Sequence, residues 1–291
     1  KRSLADGGKT TAKDLSGGDG LIKESFGTKA LGLLRNHDEV YDLVLVSDIG
    51  YTQDDEKALA MVVALQRLGV IANFYVVANT SNAVDRARLA KGTLRCFNAG
   101  DIPVAVGSPA TQPSNPAGLH FEACQYMADS SELYNKGKEQ QGVELIFEAI
   151  EKARKAGRKL SIACTSALTD MAEAIADPRW KSRAPGVVCA ITVMCGACED
   201  ANGIYLDRTA QNARFDLDSA EYVYAQLQAQ RAIRFTVVTR HSAAACRLPR
   251  NALNGSLHPV AKRLATVAHH GGNGRPPCLR TAPHLPPGTI R

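Results

Sequence analysis

Asp48, Asp54 and Asp55 lie within a stretch, Val44–Leu65, that reads VLVSDIGYTQDDEKALAMVVAL. Carboxylates supply hard oxygen donors and, where one is free to accept a proton, a general base. One acid at a helix start is ordinarily a cap. Three that converge from a strand end and a helix start repel one another unless a cation sits between them, and oxygen-only donors select calcium or magnesium. The surrounding residues say how the three would be positioned. Val44–Val46 forms part of a short continuous apolar run, as in a strand buried on both faces. Ser47, Asp48, Ile49 and Gly50 follow, and a helical pattern opens at Asp54. Leu59, Val62, Val63 and Leu65 give that segment a broad apolar face, and Ala58, Ala60 and Ala64 favour helix. Asp54 and Asp55 then occupy the first helical turn, where the positive end of the macrodipole favours their ionised forms.

Strand-like runs recur at Leu43–Val46, Phe74–Val77, Val104–Val106, Leu160–Ala163, Val187–Val193 and Phe235–Val238. Helical patterns alternate with them near Asp54–Leu68, Ala83–Asn98, Gly142–Ala156, Ser166–Ala176 and Ser219–Gln230. The alternation predicts a single α/β domain with a mostly parallel central sheet flanked by helices. In such sheets ligands bind outside the carboxyl ends of the strands. The residues that follow the strands are therefore candidates: Asp48, then Asn79 with Thr80 and Ser81, then Thr165 and Ser166, then Met194 and Cys195. Asn79 alone reads as a turn residue and Thr165 alone as a helix cap. Together, facing three carboxylates, they suit a metal-bound polyol. Gly107–Asn135 has five Pro or Gly before His120 and reads as a long loop of the kind that forms lids.

Composition narrows the classes. Of 291 residues 45% are apolar, enough to bury a core; no run is long enough to span a membrane, and the N-terminus shows no apolar core of a secretory signal. The eight Cys are scattered and read as reduced thiols; Cys195 and Cys198 make one CxxC with no second pair, a weak zinc signal. Net charge is +6, yet no Asp or Glu follows Glu221, so the excess is concentrated late in the chain. That basic end lacks aromatic residues after Phe235 and a basic helical stripe, which argues against nucleic-acid binding. By composition Lys1–His37 reads as a flexible leader, residues 38–267 as the folded domain, and 268–291 as an atypical Pro-, Gly-, His- and Arg-rich tail.

Six segments resemble the nucleoside hydrolase (inosine-uridine-preferring) family. SDIGYTQDD is similar to its acidic signature, VVANTSNA to its Asn-bearing second strand, and DIPVAVGSPA to its Asp-Ile-Pro-Val segment. SIACTSALTDMAEAI resembles the Thr-Gly-x-Leu-Thr-Asn unit, ITVMCGACEDANG the Met-Gly-Gly-Ala strand, and QNARFDLDSA the Asn-containing loop with its Asp-Pro-Glu-Ala helix start. The acidic signature and the leader look most like the XopQ/HopQ branch, effectors that plant-pathogenic bacteria deliver by type III secretion. The resemblance implies calcium as cofactor, held by Asp48, Asp55 and the Thr165 carbonyl. It implies Asp54 as the base that deprotonates water, and Asn79 and Asn212 as ribose ligands, with Asp48 and Met194 completing the lining. The implied activity is hydrolysis of N-ribosyl bonds. The implied partners are a small ribosyl ligand, host plant proteins and further copies of the chain in a homo-oligomer, with no nucleic acid and no membrane. The implied location is the bacterial cytoplasm before export and the host cytoplasm after it.

Several positions depart from the family pattern. Tyr51 and Thr52 stand where Asn or Asp is frequent, Ala78 and Cys195 replace glycines, and Ala210 replaces a sugar-binding Glu. The family's late calcium-ligand Asp has no counterpart after Glu221. His269, His270 and His284 are weak candidates for a leaving-group acid. Two functions follow: a calcium-dependent N-ribosyl hydrolase, or a catalytically impaired module that binds a nucleoside or ADP-ribose-like ligand or a host protein. An aspartyl-phosphate phosphatase is excluded by Gly50, which occupies the position of its second Asp.

Overall fold

The computed structural model describes residues 39–50, 54–111, 126–200, 203–245 and 255–269. All belong to the unit Glu39–Arg291. The expected leader, Tyr51, Thr52, residues 112–125 of the expected lid, and the tail from His270 on lie outside the described residues.

Six strands, β1 (Tyr41–Ser47), β2 (Ile71–Ala78), β3 (Val104–Val106), β6 (Leu160–Cys164), β7 (Val188–Val193) and β10 (Arg234–Val237), make one sheet in the order β10-β7-β6-β1-β2-β3. Every pairing within it is parallel. The expected sheet is therefore present, strand for strand. Two small antiparallel hairpins, β4 (Tyr134–Asn135) with β5 (Lys138–Glu139) and β8 (Ala197–Asp200) with β9 (Gly203–Leu206), were not expected from sequence.

Helices cover both faces. On one lie α1 (Asp54–Arg67) and α2 (Ala83–Cys96); on the other lie α3 (Gly142–Lys155), α4 (Thr169–Ala176), α5 (Pro178–Arg183) and α7 (Leu217–Ala229). The short helices α6 (Gln211–Arg214) and α8 (Arg240–Ala245) sit near the sheet's carboxyl edge, and α9 (Pro259–His269) packs on α2. β1 shows why the chain folds this way: Val44 and Val46 enter one core while Leu45 enters the other, the alternation of a strand covered twice. In α3, Leu145, Ile146, Ala149, Ile150 and Ala153 form the buried stripe, and Lys152, Arg154 and Lys155 lie at the negative end of the dipole.

The chain runs outward from β1 in both directions, so the order reverses between β1 and β6. That junction is the switch point where open α/β sheets place ligands. Register then aligns the candidates: Ser47 pairs Ala78, Val46 pairs Cys164, and Cys164 pairs Val193. Asp48, Asn79, Thr165 and Met194 therefore leave the sheet in one row.

Candidate functional site

The row is tied together by main-chain bonds just beyond the strands. Asn79 N donates to Ser47 O at 3.1 Å, Thr165 N to Val46 O at 2.8 Å, and Met194 N to Cys164 O at 2.8 Å. Gly50, at φ 107°, turns the chain toward α1 in a conformation that a side chain rarely adopts.

Asp55 is buried, and one of its oxygens, Oδ1, accepts from Ser47 Oγ at 2.5 Å and from Thr165 Oγ1 at 2.9 Å. Asp54, the neighbouring residue, is exposed. Consecutive helical residues point about 100° apart, so one acid of the pair faces the strand and the other faces solvent. Asp48 is buried, and its carboxyl is pushed up to about 6 by burial, against the pull of Arg86 and with the help of Asp54. Asp55 is pushed well above the usual carboxylate range by burial and by the charges of Asp48 and Asp54, which its bonds to Ser47 and Thr165 only partly offset.

Asn212 on α6 joins two more of the expected residues. Its Nδ2 donates to the carbonyl of Thr165 at 2.8 Å and to that of Met194 at 2.7 Å. Asn79 behaves differently. It is fully buried, and its Nδ2 donates to Ala167 O at 3.0 Å and Asp170 Oδ2 at 2.8 Å, while its Oδ1 accepts from Ser166 Oγ at 2.6 Å. Its amide is committed inside the protein and braces the loops after β2 and β6.

Three residues of this neighbourhood escaped the sequence reading. Arg86 is fully buried on α2 and donates to the main-chain carbonyls of Asp48, of Ile49 at 3.1 Å, and of Ser81 at 2.8 Å. Burial lowers its pKa, and the charges of Asp48 and Asp55 act against that. Asp170 is buried, accepts from Ser108 N at 2.9 Å as well as from Asn79, and is pushed up to about 6 by burial. Gly107 and Gly142 make room for it: a Cβ on either would stand 2.9 or 2.6 Å from its carboxylate. Glu56 is fully buried and paired with Arg263. Helical period was the available signal, since Glu56, Leu59 and Val63 share one face of α1, and Ala83, Arg86 and Ala90 one face of α2.

A hard cation fits this donor set in kind. The groups are all oxygen, and the burial and mutual repulsion that push the Asp48 and Asp55 carboxyls up are what a cation would relieve. Among the described residues, however, no three His, Cys, Asp or Glu side chains converge to hold a metal ion. The expected convergence of three carboxylates is thus not seen, because Asp54 faces outward. The CxxC also forms no cluster: Cys195 is a buried free thiol, pushed up to about 12 by burial first and Asp207 second. A cavity of about 550 Å³ lies elsewhere, between the β8–β9 hairpin, α7 and β10, and none of the candidate residues lines it. No described helix is long and apolar enough to cross a membrane.

An open parallel sheet with paired acids at its switch point defines a class of small-ligand α/β proteins. The chain belongs within it to the inosine-uridine preferring nucleoside hydrolase family, whose pattern matches residues 43–275. Members of that family typically use a metal ion. No curated protein matches the chain. Among solved structures it is similar to the type III effector XopQ complexed with adenosine diphosphate ribose, at 24% identity and TM-score 0.68, over 84% of this chain and 71% of that one. The effector XOO4466 is similar at 23% identity and TM-score 0.68, over 84% and 72% of the two chains. A purine-preferring ribonucleoside hydrolase from Gardnerella vaginalis follows at 17% identity and TM-score 0.53, over 79% and 73%. At these identities the likeness establishes a shared fold.

Proposed function

We propose that this protein binds a ribosylated small molecule at the β1/β6 edge with the help of calcium and hydrolyses its N-ribosyl bond. The observation that carries the reading is the opposite orientation of two adjacent acids. Asp55 is buried and hydrogen-bonded into the sheet edge, which suits a ligand; Asp54 is exposed beside it, where water reaches its carboxylate. Asp48, Asp55 and the Thr165 carbonyl would hold the ion. Bound there, it would supply the charge that anchors ribose diols and acidifies water. A ribosyl C–N bond opens through an oxocarbenium-like state that water captures. Asp54 takes the proton of that water. Asn212, fixed by its two donations, orients the Thr165 and Met194 carbonyls, and Asn79 acts as a brace for the ribose-facing loops.

The likeness to two effector structures supports a protein made in a bacterial cytoplasm and exported by a type III system into plant cells, where host proteins are further partners. One of them binds adenosine diphosphate ribose, so the ligand class includes dinucleotide-sized ribosides as well as nucleosides. A second reading, binding without turnover, is favoured by the absence of three converging metal-ligating side chains among the described residues and by Ala210 at the sugar-binding position.

Incubation with calcium and a panel of nucleosides plus ADP-ribose, assayed for free ribose and free base and by calorimetry, separates the two. Ribose release abolished by chelator supports hydrolysis. Saturable ADP-ribose binding without release supports the second reading. Neither binding nor release would remove both.

A further inference from the structure

Glu56, the residue after Asp55, joins the first turn of α1 to α9. Its carboxylate is fully buried and ion-paired with Arg263, which α9 carries across a sequence separation of 207 residues; the Tyr126 hydroxyl lies 3.5 Å away. Helix α9 has a seat of its own on α2. Val260 and Leu264 are buried. The His258 ring just before the helix stacks on Phe97, with centroids 4.9 Å apart and planes 9° from parallel, and its Nε2 lies 3.0 Å from Cys96 O. The helix therefore has anchors besides Arg263, and the guanidinium reaches past that seat to one residue of the acidic turn.

We infer that Arg263 is a positioning residue: by fixing Glu56 it sets the rotation of the first turn of α1, and with it the directions of Asp55 and Asp54. The inference deepens the proposed function and rests on it for the roles of those two acids. Residues 54–56 share one helical turn, so a rotation that moves Glu56 moves both neighbours. Partners that orient metal ligands without touching the metal typically alter affinity 10- to 100-fold. A mere clasp for α9 would act on that helix and leave the cation untouched.

The full chain is titrated with calcium by calorimetry, and amide hydrogen exchange is followed at residues 54–58 and 259–265. In Arg263→Met the calcium affinity falls about tenfold, exchange accelerates at 54–58, and 259–265 stay protected by their other anchors. Arg263→Lys recovers part of the loss. Should Arg263→Met fail to fold around its unpaired Glu56, the double variant Glu56→Leu/Arg263→Leu removes both charges and shows the same loss of affinity. Unchanged affinity in whichever of these folds, or faster exchange confined to 259–265, overturns the inference. If the native protein binds no calcium, the proposed function is wrong. The exchange readout then decides alone: faster exchange at 54–58 in Arg263→Met sustains positioning, and unchanged exchange ends it.

Discussion

The two ends of β1 each bury an aspartate, and they treat it in opposite ways. At the amino end Asp42 accepts from Asn73 N at 3.2 Å, from Asn73 Nδ2 at 3.1 Å, and from Arg158 Nε and Nη2 at 2.9 and 3.2 Å. Its charge is answered on the spot by side chains from β2 and from the turn before β6. At the carboxyl end Asp48 and Asp55 crowd each other beneath an exposed Asp54, and the charge of Arg86, which also donates to main-chain carbonyls, offsets the burial of Asp48 only in part. An acid answered by a facing cation, with no second acid crowding it, holds a fold together. Acids left crowded store repulsion that a ligand can relieve, which is how structural and functional carboxylates on one strand can be told apart.

Breaking each end separately tests the distinction. The largest effect is expected at the exposed acid: Asp54→Asn keeps ligand affinity, measured by calorimetry, and loses about 10²–10⁴-fold in ribose release, the usual contribution of a positioned base. Equal loss of affinity and turnover would make Asp54 structural. Next, Asp42→Ala leaves the Asn73 donors without their acceptor and releases Arg158 to solvent, and costs about 1–3 kcal/mol in urea denaturation, while calcium affinity of the folded protein stays unchanged. Loss of calcium binding there would erase the contrast between the two ends.

Asp170 lies between the two cases, hydrogen-bonded like Asp42 and up-shifted like Asp48. Burial pushes its carboxyl from the usual 3.8 up to about 6, so between those values the native state holds a proton that the unfolded state has released. The resulting stability is full below about pH 4 and is lost as pH rises through 6, by about 3 kcal/mol for two units. Urea melts of the metal-free protein should show this decline, and Asp170→Asn should flatten it; an unaltered slope would assign it to other groups. The smallest effect belongs to Ser47→Ala, which removes one of the two hydroxyl donors to Asp55 and should weaken calcium binding by about 1 kcal/mol. Thr165 still holds the carboxylate in that variant, so loss of all binding would show that one hydroxyl alone supports it.

The strands were legible because each buried strand is a bare apolar run, and their parallel register was enough to align Asp48, Asn79, Thr165 and Met194. The β8–β9 hairpin was not legible: Glu199 and Asp200 break the apolar run, and its hydrophobic residues Ile204 and Tyr205 are exposed. Sequence also located Asn79 without its direction, since the bonds that turn its amide inward come from Ala167 and Asp170, about ninety positions away. Arg86 and Glu56 were hidden for a related reason. A charged residue on a helix's apolar face reads as an interruption until its partner is known, and Arg263 is at the far end of the folded region. The expected domain limit at residue 267 falls inside α9, which continues to His269.

The reach of α9 back to the first helix also has a consequence for the order of folding. Closing so long a loop adds little to its equilibrium cost, because that cost grows only with the logarithm of length. It delays the event nonetheless, since non-local contacts form late and synthesis proceeds from the amino end. The sheet through β10 can assemble while Glu56 still waits for its counter-charge. In a refolding experiment with pulsed hydrogen exchange, amides of β1, β2 and β6 should become protected first, and those of residues 55–58 only in the phase that protects α9. The acidic turn would then be the last part of the sheet edge to mature, although it stands among the first residues of the domain to be made.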